Sequence, residues 1–200
     1  MEVRLLNIPP YNVLFKAVEV CQNTDNPDIA LEQALTHGHL SLLEHVSYSF
    51  SITGISRACS HQLVRHRMAS FAQQSQRFVE ITGDDWYVEP TEIDDISKAE
   101  FNHFMTLIKQ QYNRMVLRGE KLEDARAILP NCTKTDLIMT ANCRSLDNFF
   151  TLRICDKAQK EIRDLATLMY SAVKPYNNYF MKQKYPKCVE CKINCRGVKK

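Results

Sequence analysis

Glycine is scarce in this chain, five residues in 200, and none sits in a GxGxxG fingerprint or a GxxxxGK phosphate loop. The backbone turns that usually wrap nucleotide phosphates are therefore missing. Charge of one sign is lacking too, because 26 Lys+Arg nearly balance 23 Asp+Glu for a net charge of +3. That argues against a broad basic stripe of the kind that tracks nucleic acid, and no finger or RNA-binding signature is present. No run approaches about eighteen uncharged apolar residues. The opening MEVRLLNIPP lacks the basic flank and long apolar stretch of a signal peptide, so a cytoplasmic location without membrane contact is expected. An apolar content of 44% nevertheless argues against disorder and suits one domain with a sizeable core.

Cysteine is not scarce. Five of the eight, Cys21, Cys59, Cys132, Cys143 and Cys155, are scattered through apolar segments, where a reduced cysteine acts as a small hydrophobe. Cys188, Cys191 and Cys195 form C-x2-C-x3-C near the end. Three thiolates without a following histidine fall short of a closed zinc site, so no metal is expected there. We read residues 1–180 as a single domain and 181–200 as a cysteine-containing tail.

The hydrophobic pattern predicts both strands and helices. VRLLNIPP reads as a short strand, and DIALEQALTHGH as a helix with Ile29, Leu31, Ala34 and Leu35 on one face, stopping at Gly38. Val46, Tyr48, Phe50 and Ile52 alternate with Ser47, Ser49, Ser51 and Thr53, a strand that Gly54 closes. ISRACSHQLVRH then reads as a helix and RFVEI as another strand. A long amphipathic helix is predicted from Ile96 to Arg118, and KLEDARAILP as a short one. The stretch from DLIMTAN to Pro175 reads as largely helical.

Positive charge is concentrated in RHRMASFAQQSQR, residues 65–77, which holds three arginines, a histidine, two serines and three glutamines. No acidic residue lies between Glu44 and Glu80 to neutralise it locally. Guanidinium groups offer planar forks to phosphate or carboxylate, and hydroxyl and backbone N–H groups complete such a shell. A second cluster, Asn142, Arg144, Asn148 and Arg153, joins amides to arginines. It could meet a heterocycle edge beside an anion. A salt-bridged solvated loop, a set of helix caps and a nucleic-acid contact are the competing readings of the same residues.

The order Arg65-His66-Arg67, Ser70, Ser75, Arg77 resembles the RHRxxSxNxxSxR signature of the flavin-dependent thymidylate synthases. The resemblance extends through HGHLSLLEH, Gln62, EDARAILP and NCRSLDNFFTLR, over roughly residues 10–175. Ala72 departs from the signature's asparagine, and Gln73 stands where an acidic residue is common. The resemblance implies an α+β subunit with a mixed or antiparallel twisted sheet packed with long helices, assembled as a homotetramer with shared active sites. It implies a methyltransferase and flavoprotein that binds FAD and converts dUMP to dTMP, with 5,10-methylenetetrahydrofolate as carbon donor and NADPH as reductant. The alternative is a non-catalytic or degenerate relative binding a nucleotide or RNA.

By the same resemblance, His39, Ser41, Arg65, His66, Arg67, Gln73, Asn142, Arg144 and Asn148 are expected to contact the flavin or folate. Gln62, Arg65, Gln73, Gln74, Ser75, Gln76, Arg77, Arg126 and Arg153 are expected to hold dUMP. Arg153 is the expected catalytic residue. Its fixed charge would stabilise the negative charge that develops on the uracil ring.

Overall fold

The computed structural model describes residues 1–187, so Cys188, Cys191 and Cys195 lie outside the described residues. Four strands, β1 (Glu2–Leu5), β2 (Ser47–Ser56), β3 (Ala69–Gln73) and β4 (Lys134–Asn142), form one sheet in the order β1-β2-β4-β3. β1 pairs antiparallel with β2, Val3 opposite Ile52. The α-helices are α1 (Asn12–Gln22), α2 (Pro27–Thr36), α3 (Arg57–Leu63), α4 (Asp95–Leu117), α5 (Leu122–Ala125), α6 (Cys143–Arg153), α7 (Lys160–Val173) and α8 (Asn178–Lys182). None of the described helices is long and apolar enough to cross a membrane.

The chain divides into two compact units. The first holds Met1–Thr53, Gln62–Ala72 and the chain from Leu137 onward; the second holds Gly54–His61 and Gln73–Asp136. In the first unit the alternation of β2 is realised as expected, since Val46, Tyr48, Phe50 and Ile52 are all buried. α1 packs on α2, α6 on α7, and α7 against β1. Leu14, Val18, Phe149, Phe150, Leu165 and Met169 fill that core. Asn177 satisfies polar groups inside it, donating to the hydroxyl of Tyr48 at 3.0 Å and to Sγ of Cys143 at 3.1 Å. Burial pushes the Cys143 thiol up to about 12, so it stays protonated and inert.

The second unit is built on α4. Asp94 caps it, its side chain accepting from the N–H groups of Ile96 and Ser97, and Gly119 takes a φ of 83° just past its end. Met105 and Tyr112 on this helix pack with Ile81, Trp86 and Ala125, and Phe101, Ile108, Met115 and Val116 close over them.

Several expectations from the pattern need correction. DLIMTAN is strand β4 rather than helix: Leu137, Met139 and Ala141 are buried with the two-residue period of a sheet, although Leu, Met and Ala favour helices in isolation. RFVEI is a turn, and the nearby strand is β3, within ASFAQ. β2 continues past Gly54, whose φ is 69°, so Ile55 belongs to the strand and α3 begins at Arg57. Ile29 is exposed while Ala30 is buried, which rotates the α2 face by one position. Cys21 is exposed rather than in the core.

Candidate active site

In the first unit a cavity of about 590 Å³ opens between the segment after α3 and the end of β4 with α6. Arg65, His66 and Arg67 line it from one side, and Asn142, Arg144, Asn148 and Arg153 from the other. The head of the first cluster, Arg65 to Arg67, therefore meets the second cluster at one place, while Ser75 to Arg77 do not line this cavity. Arg144 and Asn148 are one helical turn apart, and Leu152 continues the same face, so α6 presents a stripe to the cavity. Asn142 is the N-cap of α6, its Oδ1 accepting from the Ser145 N–H at 2.9 Å. The cap reading is thus correct for its carbonyl, while the amide nitrogen remains as a donor. An exposed helix N-terminus beside an arginine favours an anion.

Four arginines face this cavity and only one carboxylate, Glu44, which pairs with Nη1 of Arg144. The pair is half-exposed and weakly held, so a phosphate reaching Arg144 competes with that carboxylate. Arg153 donates from Nε to Nε2 of His66 at 3.1 Å. The His66 ring stands edge-on to Phe149 with centroids 4.8 Å apart. Burial first, and the charge of Arg153 second, lower the His66 pKa from 6.5 to about 4, so the ring is neutral near pH 7. With Nε2 accepting, the ring proton sits on Nδ1. Met68, Met139 and Leu152 add apolar walls.

Gln62, also in the first unit, donates to the side-chain carbonyl of Gln159 at the start of α7. His39 and Ser41 are exposed around the 3-10 turn Leu40–His45 and do not line the cavity. They were expected to touch flavin or folate, and no local partner assigns them that role.

The second unit holds the remaining expected residues. Gln73 turns its amide inward, donating to Ser60 Oγ at 3.0 Å and Thr135 Oγ1 at 3.1 Å. The Gln74 N–H donates to the carbonyl of Asp136, and its own carbonyl accepts from Arg57 at 3.4 Å. Ser75 organises a tight turn: its Oγ accepts from the Arg77 N–H at 3.2 Å, and its carbonyl accepts from Val79 at 2.9 Å. Gln76 is half-buried within that turn. Arg77 forks onto Glu123, Nε at 3.0 Å and Nη2 at 2.9 Å from one oxygen. Arg126 donates to the backbone carbonyl of Glu123 at 3.2 Å.

Sequence reasoning missed Glu44, Leu152 and Arg57. Leu152 could have been found from its spacing to Asn148. Arg57 could have been found as another cation in the stretch that holds no acidic residue. Burial and the neighbouring Arg126 charge hold its pKa below the usual value.

A family model described as "Thymidylate synthase complementing protein" matches residues 9–176. Over 162 residues the chain is 44% identical to a flavin-dependent thymidylate synthase of Geobacter sulfurreducens, covering 80% of this chain and 70% of the relative. Relatives of the same description from Sulfurisphaera tokodaii and Pyrococcus horikoshii are 40% and 43% identical over 81% and 73% of this chain. The matches span 63% and 62% of those two proteins' own lengths, just under two thirds. Among solved structures, thymidylate synthase X from Helicobacter pylori, crystallised with FAD and dUMP, superposes with a TM-score of 0.75 at 26% identity. That superposition covers 91% of this chain and 98% of the other. The α+β fold with an antiparallel sheet and long helices is common to both.

Proposed function

Because the chain belongs to the flavin-dependent thymidylate synthase family, we propose that it carries out the FAD-dependent conversion of dUMP to dTMP, with 5,10-methylenetetrahydrofolate as carbon donor and NADPH as reductant. One observation carries the reading: a single cavity joins four arginines to two amides, and the arginine expected to be catalytic is already aligned by a neutral histidine.

The donor set fits a flavin nucleotide. Arg65, Arg67 and Arg144 line the cavity and would neutralise phosphates, while Asn148 and the amide nitrogen of Asn142 would offer donors to a heterocycle edge. FAD held by these residues, once reduced by NADPH, would supply the hydride that becomes part of the new methyl group. Arg153 supplies electrostatics rather than a proton. Its Nε is committed to His66, which leaves the Nη1–Nη2 fork to meet adjacent oxygen and nitrogen atoms of the uracil as negative charge grows there. Apolar Met139 and Leu152 displace water from beside that charge and so strengthen the interaction.

The turn at Ser75–Arg77 with Arg126 takes the dUMP phosphate, and Gln62, Arg65 and Arg153 take the base side. Active sites completed by more than one copy in a homotetramer account for ligand groups held on separate parts of the chain. The exposed Phe104 and Leu107 on α4 are apolar surface available for such assembly. A cytoplasmic location suits a reaction of soluble, charged substrates.

The test is anaerobic. Purified protein is expected to be yellow, with flavin bands that bleach on reduction. Reduced enzyme is expected to reoxidise with methylenetetrahydrofolate only when dUMP is present, yielding dTMP. Colourless protein, or reoxidation independent of dUMP, defeats the proposal.

A further inference from the structure

The turn that begins at Ser75 sits in a long connection between β3 and α4 in which only Tyr87 makes an isolated β-bridge, to Thr133. Connections of that length are mobile unless something pins them. Here the pin is at Ile81, separated from Arg77 only by Phe78, Val79 and Glu80. Ile81 is buried, and both of its backbone groups are satisfied by side chains of one helix, α4. Its N–H donates to the hydroxyl of Tyr112 at 3.2 Å, and its carbonyl accepts from Nζ of Lys109.

Neither partner has room to drift. Tyr112 is 1% exposed, and the Lys109 ammonium lies over the rings of Tyr112 at 5.5 Å and Trp86 at 5.9 Å. At the other end of the turn, Arg57 donates to the Gln74 carbonyl. The segment from Gln74 to Ile81 is therefore held at both ends by side chains from outside it. Between these ends Arg77 projects to Glu123 and the N–H groups of Arg77 and Val79 fold back onto Ser75.

We propose that Tyr112, seconded by Lys109, is a positioning residue for the Ser75–Arg77 turn, presetting it for the phosphate of dUMP from behind without touching the nucleotide. This rests on the reading of that turn as the phosphate contact. The physical logic is conformational. If the competent turn is populated only part of the time, apparent affinity falls by that fraction. Removing the hydroxyl leaves a buried N–H unpaired, which favours any rearrangement that rehydrates it. The effect falls on phosphate recognition, because the uracil side depends on other residues.

The experiment compares wild type and Tyr112→Phe as FAD-loaded full-length protein, titrated separately with dUMP and with deoxyuridine. The expected result is a dUMP Kd raised about three- to thirtyfold, a deoxyuridine Kd changed less than about twofold, and an unchanged flavin spectrum. Turnover at saturating dUMP is expected to stay within about twofold of wild type, so that KM moves and kcat does not. A purely structural role would lower the melting temperature while leaving the dUMP-to-deoxyuridine ratio at the wild-type value, and that outcome overturns the inference. Lys109→Gln, measured the same way, stands in if the tyrosine variant fails to fold and is expected to shift the same ratio in the same direction. Wild-type protein that binds no dUMP overturns the functional reading and this inference with it. Wild type that binds while both variants bind equally well overturns this inference alone.

Discussion

Arg153 and His66 are joined by a hydrogen bond from guanidinium Nε to imidazole Nε2, 3.1 Å long, and the bond exists only while the histidine is neutral. Burial and the arginine's own charge keep it neutral, with the pKa lowered to about 4. The pair thus fixes which edge of the arginine is spent on the protein and which is left for a ligand.

The same shift makes stability depend on pH. In the unfolded chain His66 takes a proton near 6.5, and in the folded protein only near 4. Between those values the unfolded state binds more protons, so the stabilisation, complete above about 6.5, declines as pH falls toward 4. Asp94 and Glu89 have pKa values held below the ordinary carboxylate range by their hydrogen bonds, so their contributions are lost at the acid end. Urea unfolding of wild type and His66→Gln across this window is expected to give a flatter pH profile for the variant. Parallel profiles would contradict the assignment.

A second expectation separates two neighbours in the signature loop. Gln73 is occupied with Ser60 and Thr135, so Gln73→Ala removes hydrogen bonds from a half-buried network and should cost about 1 to 2 kcal/mol of stability. Its dUMP affinity should hardly change. Arg77→Ala should do the reverse, losing a charge-assisted contact of about 1.5 to 3 kcal/mol, roughly tenfold to over a hundredfold in dUMP affinity. Calorimetry and thermal melts of the two variants check the ranking.

These contrasts mark what a sequence can disclose. Tyr48, Phe50 and Ile52 were legible as a buried strand face because their period is local, and so was the long helix α4. The grouping of Arg65 to Arg67 with Asn142 to Arg153 was legible through the family signature, and the structure brings both sets to one cavity. Local preference misled at β4, where Leu137, Met139 and Ala141 obey tertiary burial rather than helix propensity. The Glu44 pairing with Arg144 and the Gln73 contacts were illegible, because each joins residues distant in sequence that only folding brings together.

The end of the described chain is tied to the helix that carries the site. Asp147 of α6 accepts from Lys187 at 3.0 and 3.4 Å and from the hydroxyl of Tyr185. The side chains of Asp147 and Lys187 are only 12% and 16% exposed. Removing one partner of such a pair leaves a charge poorly solvated, so Lys187→Met is expected to destabilise the protein by about 3 kcal/mol. Denaturant midpoints at unchanged slope measure it, and a double variant with Asp147→Asn should recover part of the loss.

The last expectation tests mechanism at Arg153. With Nε given to His66, the remaining fork is the only part of this side chain that can present two parallel donors to the uracil edge. Arg153→Lys keeps the charge, loses the fork and cannot both satisfy His66 and reach a planar pair of acceptors. FAD binding and NADPH reduction of the flavin are expected to persist, since Arg65, Arg67 and Arg144 are untouched. dUMP affinity should weaken modestly. The step that should collapse is reoxidation of the reduced flavin, because a well-placed donor aimed at developing charge is worth about 2.7 to 4 kcal/mol in the transition state, roughly a hundred- to a thousandfold in rate. Single-turnover reoxidation under anaerobic conditions, with dUMP and methylenetetrahydrofolate saturating, isolates that step from binding. A rate equal to wild type would leave Arg153 with a binding or structural role and remove it from the chemistry.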